Sequence, residues 1–121
     1  MSKRILIVED QEDNRAILRD VLSTAGYELI EAVDGGEGVA LAQKERPDLI
    51  LMDIQLPVLD GYEATRRIKA THELKAIPII AVTSYALAGD EAKTRAAGCS
   101  AYVAKPFSPR HLLKTVQSFL S

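Results

Sequence analysis

The sequence predicts an α/β fold in which a parallel sheet of five strands is covered by helices on both faces, a doubly wound arrangement. Two observations predict it. Short apolar runs alternate with amphipathic stretches along the chain, and this alternation favours parallel strands joined by right-handed crossovers. The 121 residues are about half of what a (β/α)8 barrel needs, yet a chain of this length can bury about two-thirds of its unfolded surface in one core. We therefore expect one domain over residues 1–121.

Five short apolar runs are the predicted strands, because turn residues bound each of them. They span residues 5–8, 27–33, 49–52, 79–82 and 101–104. The first, third and fourth runs are apolar throughout, as expected for strands that are buried on both faces of a sheet. The second run contains Glu28 and Glu31, so we expect it at the edge of the sheet.

Amphipathic helices are predicted in the segments that follow the strands. In the first of these segments the apolar residues share one face of a helix, and Gly26 follows them as a stop signal. Asp60 and Glu63 have the spacing of a capping box at the start of the third helix. Ser108 is a suitable N-cap for the fifth helix, and Pro109 is a suitable first residue.

The charge of the chain argues against several classes of protein. Fifteen Lys and Arg residues against seventeen Asp and Glu residues give a net charge of −2, and no basic block suggests a nucleic-acid or membrane-surface partner. No apolar run has the length of a membrane span, and the amino terminus lacks the features of a signal peptide. Cys99 is the single cysteine, so an internal disulfide is impossible. We therefore expect a cytoplasmic protein in which Cys99 is a small buried residue.

Polar side chains follow four of the five predicted strands. Glu9 and Asp10 come after the first strand, Asp53 after the third, Thr83 after the fourth and Lys105 after the fifth. In an open parallel sheet these positions lie along the edge at which such folds bind ligands. Taken singly, a strand-end Asp or Thr is most often a cap or turn residue, and a strand-end Lys is usually solvated. Their joint placement predicts a functional site.

The residue types at this edge indicate the chemistry of the site. Three carboxylates and one ammonium in a cleft are costly unless a cation joins them. Oxygen donors favour a hard ion, and a site with few carboxylates favours Mg²⁺ over Ca²⁺. Such a site binds phosphoryl groups, for which Lys105 and Thr83 offer charge and a hydroxyl donor. The chain has no glycine-rich nucleotide motif, so we expect a carboxylate that itself accepts phosphate.

Four runs of the sequence resemble the receiver domain of two-component response regulators. They are VED at residues 8–10, LILMDIQLPVLDG at 49–61, AVTS at 81–84 and AYVAKPF at 101–107. The resemblance extends along the whole chain. It implies a flavodoxin-like (βα)5 architecture with strand order 2-1-3-4-5, and a single receiver domain over residues 1–121 without an output domain.

The resemblance also implies roles for the acidic residues. Asp53 would be the phosphoacceptor, and Glu9 and Asp10 would be the acidic pair that binds Mg²⁺ together with Asp53. Gln55 would be a metal ligand through its backbone carbonyl. Glu9 stands where many members of the family have Asp, and one additional methylene should be tolerated at that position.

Further residues acquire roles from the same resemblance. Thr83, Lys105 and the backbone of Ser84 would contact the phosphoryl group. Tyr102 would be an aromatic switch residue coupled to Thr83. The peptide bond between Lys105 and Pro106 would be cis.

The function implied by the resemblance is signalling rather than enzymatic turnover. A histidine kinase or a histidine phosphotransfer protein would phosphorylate Asp53, and self-phosphorylation from small donors and self-dephosphorylation would at most be slow. A downstream protein would bind the face formed by the fourth helix, the fifth strand and the fifth helix. The domain would be a monomer or weak dimer, with no nucleic acid or membrane as partner.

Three alternative functions remain open to comparison. A haloacid dehalogenase phosphatase needs DxDx[TV] after its first strand, whereas Asp53 ends the third and is followed by Ile54 and Gln55. A flavodoxin-type electron carrier needs a phosphate-binding loop, and the acidic run EDQEDN at residues 9–14 would repel the phosphate of FMN. An unphosphorylated receiver used as a scaffold is disfavoured because every pocket position carries a functional residue type.

Overall fold

The computed structural model describes residues 3–83 and 88–120, with the backbone alone for residues 88–91. Strands and helices alternate in the predicted order. The strands are β1 (Arg4–Val8), β2 (Glu28–Ala32), β3 (Leu49–Asp53), β4 (Ile79–Thr83) and β5 (Ala101–Ala104). The helices are α1 (Glu12–Thr24), α2 (Gly35–Glu45), α3 (Gly61–Ala70), α4 (Ala88–Ala97) and α5 (Pro109–Leu120).

The five strands form one parallel sheet in the order β2-β1-β3-β4-β5, which confirms the predicted topology. β2 lies at an edge, as its two glutamates predict. The order reverses after β2, because the chain crosses from that edge past β1 to begin β3. The carboxyl ends of β1 and β3 are therefore neighbours, and this junction is the switch point at which open α/β sheets bind ligands.

Alternating side chains of the sheet enter two separate cores. On one face Ile5, Ile7 and Leu51 pack with Leu18 of α1 and Leu112 of α5. The other face is covered by α2 and α3, and its buried strand residues are Leu6, Val8, Ala32, Ile50, Met52, Ile79 and Ala81. Because β1, β3 and β4 are buried on both faces, they are the uniformly apolar runs seen in the sequence.

Strand β2 is shorter than predicted at both ends, and the neighbouring helices explain why. The backbone N–H of Tyr27 donates to Leu22 O at 3.2 Å, so Tyr27 closes the turn that follows α1. The N–H of Val33 donates to the Glu37 carboxylate at 2.9 Å, so Val33 is part of the turn that leads into α2. Conversely, β3 and β4 run one residue further than predicted, because Asp53 pairs with Val82 in the ladder and Thr83 continues into the pairing with β5.

The predicted helix boundaries are largely confirmed by the capping contacts. The side chain of Asp60 accepts a hydrogen bond from the N–H of Glu63 at 2.9 Å, as the capping-box spacing predicts. Pro109 is the first residue of α5. Gly26 follows the end of α1 with a φ of +92°, a conformation that glycine adopts without strain. None of the helices in residues 3–83 and 88–120 is long and apolar enough to cross a membrane.

Cys99 is buried, as predicted for a small residue beside a strand. Burial raises the pKa of its thiol. The sulfur lies 3.8 Å from Thr65 Oγ1 of α3, so this cysteine acts as a packing residue between α3 and the start of β5.

Candidate functional site

Three carboxylates gather at the carboxyl ends of β1 and β3. Glu9 and Asp10 follow β1, and Asp53 is the last residue of β3. One carboxylate oxygen from each residue lies within 4.8 Å of those of the other two. The β1–β3 register pairs Val8 with Met52, so the next position along each strand brings Glu9 beside Asp53. Glu9 is 1% exposed and Asp53 is 4% exposed, whereas Asp10 is half-buried.

Lys105 supplies the positive charge of this cluster. Its Nζ donates to Glu9 Oε1 at 2.7 Å and to Asp53 Oδ2 at 3.3 Å. Burial lowers the pKa of the Lys105 ammonium, but the hydrogen bond to Glu9 and the charge of Asp53 outweigh it, so the pKa lies above its ordinary value. Lys105 is therefore charged at neutral pH. The peptide bond that joins it to Pro106 is cis.

Backbone N–H groups orient the two buried carboxylates. The N–H of Gln11 donates to Glu9 Oε2 at 3.0 Å, and the N–H of Gln55 donates to Asp53 Oδ1 at 3.1 Å. Together with Lys105, these donors give each oxygen of Glu9 and Asp53 a partner. The ligand role of the Gln55 carbonyl stays a prediction.

Gly61 is a site residue that the sequence analysis did not single out. It is the first residue of α3 and lies beside the end of β3, which carries Asp53. Its N–H donates to Ile54 O at 2.9 Å. A Cβ at this position would lie 2.3 Å from the carbonyl oxygen of Asp53. In the sequence, the only local sign of this close approach is the Asp60-Gly61 pair at a predicted helix start. The aspartate of that pair is already explained by its capping role.

Thr83 and Tyr102 lie on the sheet face opposite to that of Asp53. The β4–β5 register pairs Ala81 with Tyr102 and Thr83 with Ala104, so the Thr83 and Tyr102 side chains share one face and are offset by two residues. Thr83 is 1% exposed. The ring of Tyr102 is half-buried against the core under α2 and α3. Ser84, predicted to contact the phosphoryl group through its backbone, lies outside the described residues.

Comparison with known proteins identifies the family. A family model described as response regulator receiver domain matches residues 5–117. The chain belongs to this family. The receiver domain is 48% identical over 120 residues to the polar-differentiation response regulator DivK of Brucella anthropi, a match that covers 99% of this chain and 98% of DivK.

Solved structures give the same result for the fold. The receiver domain superposes on chemotaxis protein CheY4 of Vibrio cholerae with a TM-score of 0.93 and 34% identity, covering 98% of this chain and 99% of that one. It superposes on the receiver domain of sensor histidine kinase PA1611 from Pseudomonas aeruginosa with a TM-score of 0.92 and 41% identity, covering 98% of each chain. That structure has a magnesium ion coordinated in its active-site cleft.

Family membership settles the class of protein among the alternatives. The receiver domain is a component of two-component signalling and not a classical enzyme. The phosphatase and electron-carrier alternatives are therefore set aside. A receiver that serves as an unphosphorylated scaffold is compatible with the same family, so only the chemistry of Asp53 separates it from a phosphoacceptor.

The acidic cluster of the receiver domain fits a hard divalent cation. Its donors are carboxylate oxygens, which Mg²⁺ prefers, and Glu9, Asp10 and Asp53 come close enough to share one ion. The single ammonium of Lys105 offsets only part of their negative charge. A bound cation would relieve the repulsion that remains.

Arg15 of α1 is a second residue that the sequence analysis missed. Its Nη1 donates to the carbonyl oxygen of Glu9 at 2.7 Å. No local pattern predicts this contact, because it joins the first turns of a helix to the strand end that precedes it.

Proposed function

We propose that Asp53 accepts a phosphoryl group from a histidine kinase or a histidine phosphotransfer protein in a Mg²⁺-dependent reaction. The observation that carries the proposal is the buried Asp53 carboxylate, which lies between the Glu9–Asp10 pair and the ammonium of Lys105. A downstream protein would then recognise the phosphorylated domain by its changed conformation.

The transfer step needs a nucleophile and charge neutralisation, and the residues of the site supply both. A carboxylate oxygen of Asp53 attacks the phosphorus of the donor's phosphohistidine. An O–P bond forms while the P–N bond breaks, and its electron pair returns to the imidazole nitrogen of the donor. Lys105 would shift from its carboxylate partners to the incoming phosphoryl oxygens, where its ammonium stabilises the developing charge.

Asp10, Asp53 and the backbone carbonyl of Gln55 would hold the magnesium ion, with Glu9 contributing negative charge beside them. When bound, Mg²⁺ neutralises the phosphoryl oxygens in the transition state. Glu9 already accepts hydrogen bonds from Lys105 and Gln11. The role of Glu9 is therefore to hold Lys105 in place and to add negative charge beside the ion. Its side chain, one methylene longer than that of Asp, suits the contact with Lys105.

Thr83 and Tyr102 would couple phosphorylation to the partner surface. A Thr83 hydroxyl drawn towards the phosphoryl group would vacate space on the sheet face that it shares with Tyr102, and the phenol ring is stable either exposed or buried with a partner. Phosphorylation would shift the equilibrium between the two positions of Thr83 and Tyr102 only by the difference in interaction free energy between the phosphoryl group and Thr83 in those two positions. The face of α4, β5 and α5 would change and bind the downstream protein.

The charge of the chain bears on the kind of partner that it binds. The small net charge of −2 supports a protein partner rather than nucleic acid or a lipid surface. We propose that residues 1–121 act in the cytoplasm as one receiver domain that is monomeric or weakly dimeric.

Intact-mass spectrometry tests the phosphoacceptor directly. Incubation with acetyl phosphate and Mg²⁺ should add one phosphoryl group to the wild-type protein, and Asp53→Asn should remain unmodified. Equal labelling of Asp53→Asn would overturn the assignment, and no labelling of either protein by any donor would favour the scaffold alternative. Initial phosphotransfer rates from candidate kinases then identify the donor.

A further inference from the structure

We propose that Arg15 is a positioning residue that orients the acidic pair for its cation by holding the peptide group between Glu9 and Asp10. The inference rests on the proposed function, since it assigns a role in the same metal site. Arg15 lies in the first turns of α1 and touches neither Asp53 nor Lys105 among the contacts of the described residues.

The guanidinium of Arg15 is fixed from three directions. Nη1 donates to the Glu9 carbonyl at 2.7 Å, Nη2 pairs with the Glu12 carboxylate, and Nε lies 3.3 Å from Glu31 Oε1. The side chain is 12% exposed. A planar guanidinium held by three partners has one orientation. It therefore donates to the Glu9 carbonyl with little further loss of side-chain entropy.

The Glu9 carbonyl matters because every other polar atom of Glu9 is engaged elsewhere. Its N–H donates to Ala32 O at 3.0 Å, and its carboxylate oxygens bind Lys105 and Gln11. The carbonyl belongs to the peptide plane that leads into Asp10. Arg15 therefore sets the direction in which the chain leaves Glu9, and with it the direction of the Asp10 side chain.

The orientation of the Asp10 side chain depends on that peptide plane more than the orientations of the Glu9 and Asp53 side chains do. It is half-buried, and its carboxylate accepts a long hydrogen bond of 3.4 Å from the exposed Gln11 side chain. Metal ligands are commonly oriented by residues that do not touch the metal, and loss of such a residue typically costs about 10- to 100-fold in metal affinity.

Arg19 provides a matched control within the same ion-pair network. It pairs with the same two carboxylates, Glu31 at 2.9 Å and Glu12 at 3.1 Å. In the described part of the chain, the Arg19 guanidinium makes its hydrogen bonds to these two carboxylates and not to Glu9. Replacement of Arg19 therefore perturbs the network while leaving the Glu9 carbonyl contact in place.

Electrostatics alone predicts the opposite result to positioning. Arg15 carries a positive charge near the acidic cluster, so removal of that charge should strengthen the binding of a cation. Positioning predicts that the same removal weakens it. The sign of the change in Mg²⁺ affinity therefore distinguishes the two effects.

Calorimetric titration with MgCl₂ measures this sign on the full chain. We expect Arg15→Met to bind Mg²⁺ about 10-fold more weakly than wild type. Arg19→Met should stay within about twofold, because it leaves the contact between Arg15 and the Glu9 carbonyl in place. Arg15→Lys, which keeps the charge and one donor, should recover part of the affinity. Unchanged or tighter Mg²⁺ binding by Arg15→Met, or equal weakening by both arginine variants, overturns the inference.

Amide NMR without metal gives a second readout that does not depend on the metal site. The amide resonances of Asp10 and Gln11 should shift in Arg15→Met and stay in place in Arg19→Met. If Asp10→Asn binds Mg²⁺ as tightly as wild type, the proposed metal site is wrong, and the amide shifts alone decide whether Arg15 orients this peptide. If Arg15→Met does not fold, Arg15→Lys carries both measurements. Wild-type Mg²⁺ affinity together with unshifted Asp10 and Gln11 amides in Arg15→Lys would then contradict the role.

Discussion

The Cβ that Gly61 lacks would lie 2.3 Å from the carbonyl oxygen of Asp53. This distance is well below any van der Waals contact, so the start of α3 can approach the end of β3 only because residue 61 has no side chain. The helix in turn fixes the backbone that carries the Asp53 carboxylate.

Gly61→Ala should lower the free energy of unfolding by about 1–3 kcal/mol, the usual cost of forcing extra volume into a packed region. Gly36→Ala is the control, because a Cβ there would have its nearest contact at 3.4 Å and alanine favours the helix by up to about 1 kcal/mol. Urea denaturation of both variants measures the difference. A Gly61→Ala protein as stable as Gly36→Ala would contradict the close approach.

Val58 should be a site of easy stabilisation. It has a φ of +69° although it is β-branched, and the residue is 86% exposed. A left-handed conformation costs an ordinary residue about 1–2 kcal/mol, whereas asparagine tolerates it. Val58→Asn should therefore raise the free energy of unfolding by about 1 kcal/mol, and Val58→Thr, still β-branched, should not. Thermal denaturation of wild type, Val58→Asn and Val58→Thr measures these changes, and equal stability of the two variants would contradict the prediction.

Asp10→Asn should stabilise the protein without metal and abolish its response to Mg²⁺. Loss of one carboxylate relieves repulsion with Glu9 and Asp53 in the same cluster, and functional sites commonly hold such destabilising charges. In the wild type, Mg²⁺ at about ten times its Kd should add about 1.4 kcal/mol. Melting curves with and without MgCl₂ test both halves, and a variant that still gains stability from MgCl₂ would show that Asp10 is not a ligand.

Lys105 should make stability fall in alkaline solution. Because its folded pKa is raised, the folded protein keeps a proton that the unfolded chain loses above about pH 10.4. Its contribution is therefore complete below that pH and declines as the pH rises towards the folded pKa. The difference in unfolding free energy between wild type and Lys105→Met should be constant up to about pH 10.4 and shrink as the pH rises beyond it. The Cys99 thiol, whose pKa is also raised, cancels in this difference, and a difference that stays constant above that pH would count against the ion pairs of Lys105.

Thr83→Ala should uncouple the phosphoryl site from the α4, β5 and α5 face. One or two charge-assisted hydrogen bonds provide about 3 kcal/mol, enough to shift a two-state equilibrium by more than 100-fold. NMR with beryllofluoride as a phosphoryl mimic should show shifts across that face in wild type and not in Thr83→Ala. Thr65→Ala, another fully buried threonine, should respond as wild type does. If Thr83→Ala binds the mimic and shows the same shifts, Thr83 does not transmit the change.

Most of the architecture could be predicted from local patterns in the sequence. The alternation of apolar runs with helical periods, the cap at Asp60 and the proline at the start of α5 depend on residues within a few positions of one another. The gathering of Glu9, Asp10, Asp53 and Lys105 could also be predicted, because each lies at or just after the end of a strand and parallel strands end at one edge of the sheet. The named roles of Gln55, Ser84 and Tyr102 came from family resemblance and stay predictions.

The sequence by itself therefore determined the fold class, the edge position of β2 and the set of polar residues at the site. Only the tertiary structure decided how those residues pair: that Lys105 binds Glu9 at shorter distance than Asp53, that Arg15 holds the Glu9 carbonyl, and that Gly61 lies against Asp53. The physical reason is that each contact joins two different elements. Periodicity and capping act within one element, whereas the partner of a side chain depends on how separate elements pack, whether the sequence separates the residues by six positions, as for Arg15 and Glu9, or by 96, as for Lys105 and Glu9.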